Sequence, residues 1–404
     1  MRPSASPALR RELAFALVVC STVLGIAGTD LVLPAVPTLP SVLGGDLERA
    51  QLVLAAFVAG SAVGLLGFGA LGSRFDQRSV LAASLLGYGA VSLAAGYSTS
   101  LDALIALRFV QGAAGSAAAV FAPGMLRALY GDMAAVAALG RLGSIEGLTP
   151  ALAPIAGTWL LQAFGWNASF EVIGVGAAGL GVGVLLGRAL LPALVARRAG
   201  GGYGTLLTDP RFMRYALSQA FTLGGLLVFV FGSPTVFVAA LGGTLRDFIV
   251  MQVVGITSFI IAANLAGRLS RTFGPERLVW RGSVLSAAGA AALLLYALLG
   301  GRNTLVVSAL FVPLNLGLGL RGPPGFHRAV VAARGDDARG AALVVVAILG
   351  STAAGTAAVA PFITLGLLPI SLAACVLSAA ALVLLRWLPA LEEPGEPASA
   401  IEPV

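Results

Sequence analysis

The chain has 404 residues, 58% of them hydrophobic and only 11% charged, with a mean hydropathy of +0.95. A soluble domain carries about 25% charged residues, so water is excluded as the solvent for most of this surface. The net charge of +7 would suit nucleic acid, but no basic stretch is interleaved with aromatics, which argues against that partner.

In chain order, Met1 to Arg11 is short and positive and precedes an apolar run too long and too proline-rich for a cleaved signal peptide. It is expected to stay as the start of the first helix. Apolar runs then predict helices at 13–43, 51–72, 79–97, 102–127, 137–163 and 168–190. After the longest polar interruption come 212–241, 248–267, 282–300, 304–327, 340–365 and 367–388. Each covers the roughly 30 Å of a hydrocarbon core. The expectation is an all-α membrane protein of twelve transmembrane helices: a six-helix bundle over 1–190, a cytoplasmic linker over 191–211, a second bundle over 212–388 and a cytoplasmic tail over 389–404.

All 25 basic residues are arginine, which reads as coding bias rather than chemistry. Their placement does carry information. Loops on one side hold only Arg49, Arg246 and Arg302; the other side holds twenty, with Arg108 and Arg321 left inside helices. The positive-inside rule puts both termini and the arginine-rich loops in the cytoplasm of a bacterial inner membrane. The basic charge is then a topological signal facing anionic headgroups.

The halves echo each other, with a short basic loop after each second helix (Arg74 to Arg78, Arg268 to Arg281) and prolines in each fifth helix (Pro150 and Pro154, then Pro361). Paired halves place a transport site at the repeat interface. Glycines at Gly60, Gly64, Gly67, Gly69 and Gly72 let helix backbones approach closely. Cys20 and Cys375 read as small packing residues in opposite halves. His327 is the only histidine, so no histidine metal cluster is available, and no catalytic triad or phosphate-binding glycine loop is present. An enzyme is not expected, nor any cofactor beyond the proton gradient.

An ionisable group deep in a span costs about 2.5–3.5 kcal/mol to insert and is a functional candidate. Asp30 lies near the middle of the first helix. A carboxyl there can load and release a proton as its cavity opens to each side; the competing reading is an ion pair with Arg108 that serves folding alone. Arg108 lies about 10 Å inside the outer end of the fourth helix, and either tunes that proton or snorkels outward. Glu146 and Arg321, at similar depths in the fifth and tenth helices, suggest a gate between the halves. The alternative is that each stays in its own half, with Glu146 pairing with Arg127 or Arg141.

These residues stand in segments that resemble a family. GTDLVLPAVP (28–37) resembles the helix-1 signature of drug:proton antiporters of the major facilitator superfamily. LRFVQGAAGSA (107–117) is similar to its helix-4 motif, with Arg108, Gln111 and Gly112 in the matching places. TPALAPIAGTWLLQAFGWNASF (149–170) resembles the helix-5 antiporter motif, bringing Pro154 and Gly157 with it, and FVFGSPTVFVAALG (229–242) looks like helix 7 of the bicyclomycin-resistance-type branch.

The resemblance covers about 12–388. It implies the major facilitator fold and export of a small organic compound in exchange for protons by alternating access, as a monomer. A dedicated exporter of one metabolite, such as a siderophore, is the alternative; a non-transporting sensor is disfavoured by the cost of Asp30 and Arg108. By that fold Gln111, Gln219, Ser233, Asn315 and Phe229 line the substrate cavity. One departure stands out. In GALGSRFDQRSVL (69–81) Gly69, Arg74 and Arg78 match the family pattern, but Ser73 replaces the acidic residue that the resemblance implies as a latch of the cytoplasmic side.

Overall fold

Short polar side chains and glycines decide where this apolar chain turns. Asp46, Asp76, Ser100, Asp209 and Asn303 each accept a backbone N–H at a helix start, satisfying donors that the helix itself leaves open. Gly274, at φ +83°, is the single residue between two long helices, a left-handed conformation that favours glycine.

The computed structural model describes residues 6–194 and 202–391; no strand occurs among them. Eleven helices are long and apolar enough to cross a membrane. They are α1 (Ala8–Leu43), α2 (Arg49–Gly72), α3 (Gln77–Gly96), α4 (Leu101–Tyr130), α6 (Ala168–Leu186), α7 (Pro210–Val238), α8 (Arg246–Phe273), α9 (Pro275–Leu298), α10 (Thr304–Ala332), α11 (Asp337–Leu365) and α12 (Leu367–Trp387). The twelfth, α5 (Asp132–Phe164), has 33 residues and is about 50 Å long, enough to pass through the bilayer beside them.

Several expected boundaries move. The eighth and ninth helices meet at Gly274 instead of stopping at 267 and restarting at 282, and α5 begins at Asp132 rather than 137. Helical hydrogen bonding continues past the point where arginines lower the hydropathy. The first helix is not continuous over 13–43. Regular α-helix ends at Asp30, a 3₁₀ segment covers Leu33–Thr38, and one turn of α-helix follows. Pro34 and Pro37 have no N–H to give to the carbonyls of Asp30 and Leu33, so the α pattern cannot continue there. The linker contains a helix at Gly202–Thr208, and Tyr203 donates its hydroxyl to the Leu66 carbonyl of α2. Residues 195–201 of the expected linker and 392–404 of the expected tail lie outside the described residues.

Each half repeats one packing scheme. In the first, α2 packs on α4 and α3 on α6; in the second, α8 packs on α10 and α9 on α12. Missing side chains make these contacts close: a Cβ on Gly112 would stand 2.0 Å from the Phe57 carbonyl, and one on Gly319 2.5 Å from the Phe259 carbonyl.

The halves meet through α5 against α8 and α2 against α11, each pair the counterpart of the other. At the arginine-rich end they share one core, in which Leu65, Phe121, Met125 and Leu139 pack with Ala338 and Ala342. At the opposite end each half keeps a separate core, one around Val32, Phe57 and Phe170, the other around Phe229, Phe237 and Phe311. The molecule is closed at its arginine-rich end.

Candidate functional site

The break in α1 sets the geometry around Asp30. Leu31 and Val32 give their N–H groups to Ala27 and Thr29, leaving the Gly28 carbonyl without its usual helical donor. Arg108 supplies one from α4: its Nη1 donates to Gly28 at 2.9 Å and to Gln111 Oε1 at 2.7 Å, and its Nε donates to the Val53 carbonyl at 3.1 Å. The guanidinium also stands over the Phe57 ring, 4.2 Å from its centroid, where the ring face attracts a cation. Arg108 is 0% exposed, so it does not snorkel outward. It does not pair with Asp30 either. Among the described residues the half-buried Asp30 carboxyl has no hydrogen-bond or ion-pair partner, and Arg108 Nη2 has none.

Gln111 completes this cluster by donating to Ser92 at 2.7 Å, which buries it between α3 and α4 rather than against open space. Ser233 is equally buried and bonds back to the Phe229 carbonyl; Phe229 stacks on Phe311 at 5.3 Å, and Asn315 donates to the Phe311 carbonyl. Gln219 is buried with Oε1 unpaired.

The expected contact between Glu146 and Arg321 is not made in this conformation. Arg321 turns into its own half and donates to the Ser218 carbonyl and hydroxyl and to Thr222 on α7, while Glu146 lies by the Thr22 hydroxyl of α1. Hydroxyls and a carbonyl one helix away reach Arg321 without any crossing between halves.

The ion pair that does join the halves is one the sequence reading passed over. Arg127, at the end of α4, donates to both oxygens of Asp337 at 3.3 Å and to Asp132 at 2.6 Å. His327 of α10 stands 3.7 Å from Asp132. Gly124 makes room, since a Cβ there would touch Asp337 at 3.3 Å. Asp337 is also the first residue of α11, so its charge sits where a helix N-terminus favours an anion. Ser73 takes no part and bonds back to Ala70. In the sequence Arg127 reads as a loop arginine or as a partner of Glu146 within its own half, and Asp337 looks like an ordinary helix start.

Of the loop motif, Gly69 faces Tyr203 and Ala342, and Arg74 is exposed. Asp76, in the same loop, caps α3 and binds Arg78 and Arg188. Burial works to raise the Asp76 carboxyl, but the hydrogen bonds from Arg78 and Arg188 outweigh it and hold the group below the usual carboxylate range. In α5, Gly157 lets the Leu31 carbonyl approach to 2.3 Å from where a Cβ would be, and Pro154 accepts from Thr158. The second half has its own buried polar cluster at the arginine-rich end. Glu276 pairs with Arg214 and Arg328, and Tyr215 donates to it at 2.7 Å.

Compared with known proteins, residues 18–358 match the model of the Major Facilitator Superfamily. A chloramphenicol resistance protein of Pseudomonas aeruginosa is 26% identical over 268 residues, 65% of this chain and 63% of the relative. A bicyclomycin resistance protein homolog of Haemophilus influenzae is 26% identical over 268 residues, covering 62% of this chain and 65% of the relative. The match thus spans just under two thirds of each. The crystal structure of the transporter FucP in the outward conformation superposes with a TM-score of 0.69 at 16% identity, over 94% of this chain and 99% of that one, which is a likeness of fold.

Proposed function

Since the chain belongs to the Major Facilitator Superfamily and is a multi-pass membrane transporter, we propose that it exports a small, drug-like or toxic organic compound from the bacterial cytoplasm in exchange for protons. The resistance proteins among its relatives support the direction and the substrate class. In this reading the arginine-rich end faces the cytoplasm, the chain works as a monomer, and the closed conformation is open toward the outside.

The observation that carries proton exchange is Asp30. It is a half-buried carboxyl within a span, beside a helix break, and no cation among the described residues fixes its charge. A carboxylate locked to Arg108 would hold its proton state through the cycle; this one is free to change it. Arg108 instead holds the broken helix in place by bonding Gly28, two residues away.

Inverted membrane vesicles expressing the chain test this. Acidifying their interior should drive uptake against its gradient of at least one compound from a panel of neutral drugs (chloramphenicol, bicyclomycin) and aromatic carboxylates (benzoate, salicylate). Asp30→Asn should abolish uphill uptake while leaving exchange at equilibrium. Uphill uptake by Asp30→Asn at the wild-type rate would contradict the assignment.

A further inference from the structure

Arg321 is a buried cation with no ion-pair partner among the described residues. It lies near mid-depth, since α10 runs from Thr304 to Ala332 with its centre at Leu318, and three residues are about 4.5 Å of helix. Its side chain is 0% exposed. All its hydrogen-bond acceptors are neutral: the Ser218 carbonyl, Ser218 Oγ at 3.1 Å and Thr222 Oγ1 at 2.7 Å. Its Nε has no partner, and no carboxylate among the described residues lies within ion-pair distance. Glu276, the carboxylate whose field reaches it, is already engaged by Arg214, Arg328 and Tyr215.

A second unpaired group points to the same place. Gln219 Oε1 is buried and unbonded. A Cβ on Gly325 would stand 3.1 Å from Gln219 Oε1 and 3.1 Å from Arg321 Nη2, so both groups converge closely on the bare backbone of that glycine. One turn earlier, Gly322 has only Gln219 Nε2 within 4 Å, at 3.9 Å. The result is a glycine-lined notch between α7 and α10, closed to solvent in this conformation, with a guanidinium and a carboxamide beside it. That amide can turn its NH₂ into the notch, because no hydrogen bond holds its oxygen.

We propose that this notch is the anion subsite for the substrate, and that the transported compound carries a carboxylate. Its two oxygens would accept from the Nε–Nη2 edge of Arg321, the planar fork that suits a carboxylate, and from the Gln219 amide. This supplies the charge that the buried arginine lacks and gives its orphaned Nε an acceptor. A neutral drug would leave the cation uncompensated. Pro323, between the two glycines in sequence, packs 3.7 Å from the Cβ position of Gly140 on α5, a contact that parting the halves at the arginine-rich end would break. The inference rests on the export reading and names its substrate class.

The test is equilibrium binding to the purified full chain, with no gradient, using benzoate, 4-hydroxybenzoate and salicylate against benzamide, a neutral molecule of benzoate's shape. At least one anion should raise the thermal midpoint with saturation, and benzamide should not. Arg321→Gln should lose that shift, Arg321→Lys should retain part of it, and Gln219→Leu should weaken binding severalfold. Failure of all three anions, equal effects of benzoate and benzamide, or unchanged anion binding in Arg321→Gln overturns the proposal. If Arg321→Gln is not monodisperse, Gln219→Leu decides: wild-type affinity there overturns it. Intact anion binding in a protein that shows no proton-driven export contradicts only the export reading; export without anion binding contradicts only the subsite.

Discussion

Asp30 and Arg108 illustrate how differently two charged residues of one site can be read from a sequence. The depth of Asp30 was legible from counting along an apolar run, since ionisable residues within spans are rare and costly. The partners of Arg108 were not legible, because two of them are backbone carbonyls, which every residue carries. Arg108→Gln, which keeps a donor but drops the charge, should retain part of the stability lost in Arg108→Leu, by thermal unfolding in detergent. Leaving Gly28 and Val53 without a donor should cost about 1–3 kcal/mol each. Equal stability of the two variants would contradict a structural role for these bonds. Asp76 gives a pH signature. Its carboxyl is held below the usual range when folded, so its stabilising effect is present above the unfolded value of about 3.9 and fades as pH falls through the folded one. The gap in thermal midpoint between wild type and Asp76→Asn should therefore be present at pH 7 and close below about pH 4. A gap that is constant with pH would show that the arginine contacts do not act through charge.

Among the elements, the helices were legible and their ends were not. Hydropathy falls where arginines begin, yet α8, α9 and α10 run past that point as helix, because hydrogen bonding depends on backbone continuity and not on side-chain polarity. Pro34 and Pro37 of α1 were plain in the sequence, but the 3₁₀ segment they impose and the orphaned carbonyl it leaves were not. The glycine pattern was informative as a packing signal: Gly60 and Gly112 sit where α2 and α4 nearly touch. Gly112→Leu should lower the thermal midpoint by several degrees, since even modest overpacking costs about 1–3 kcal/mol and here the nearest atom is backbone. Between α4 and α11, Arg127 and Asp337 form a partly exposed pair, with side chains 27% and 18% accessible. Neutralising either should weaken the closed end by an amount between the roughly 0.5 kcal/mol of exposed pairs and the roughly 3 kcal/mol of buried ones. Cysteines placed at that end should label faster in Arg127→Gln, and Arg127→Asp with Asp337→Arg should return labelling toward wild type. A double swap no slower than the single variants would remove the pair from the gate.

For the whole molecule, the two-half architecture was visible in the repeated basic loops and proline-bearing fifth helices, and the structure sets α5 on α8 and α2 on α11 as equivalent contacts. Which end is closed was not visible, because it depends on side chains from helices more than 200 residues apart, such as Arg127 and Asp337. Alternating access driven by protons requires the two ends to move oppositely when Asp30 changes its proton. Spin labels at Phe75 and Arg334 report the arginine-rich end, and labels at Tyr97 and Leu299 report the other, all on exposed side chains in a background without Cys20 and Cys375. Distance distributions from pulsed dipolar spectroscopy, recorded across pH, give the most direct reading. The account predicts that acid lengthens the first distance and shortens the second, and that Asp30→Asn shows the acid distribution at every pH. Distances that ignore pH, that change together, or that still respond to pH in Asp30→Asn would contradict it.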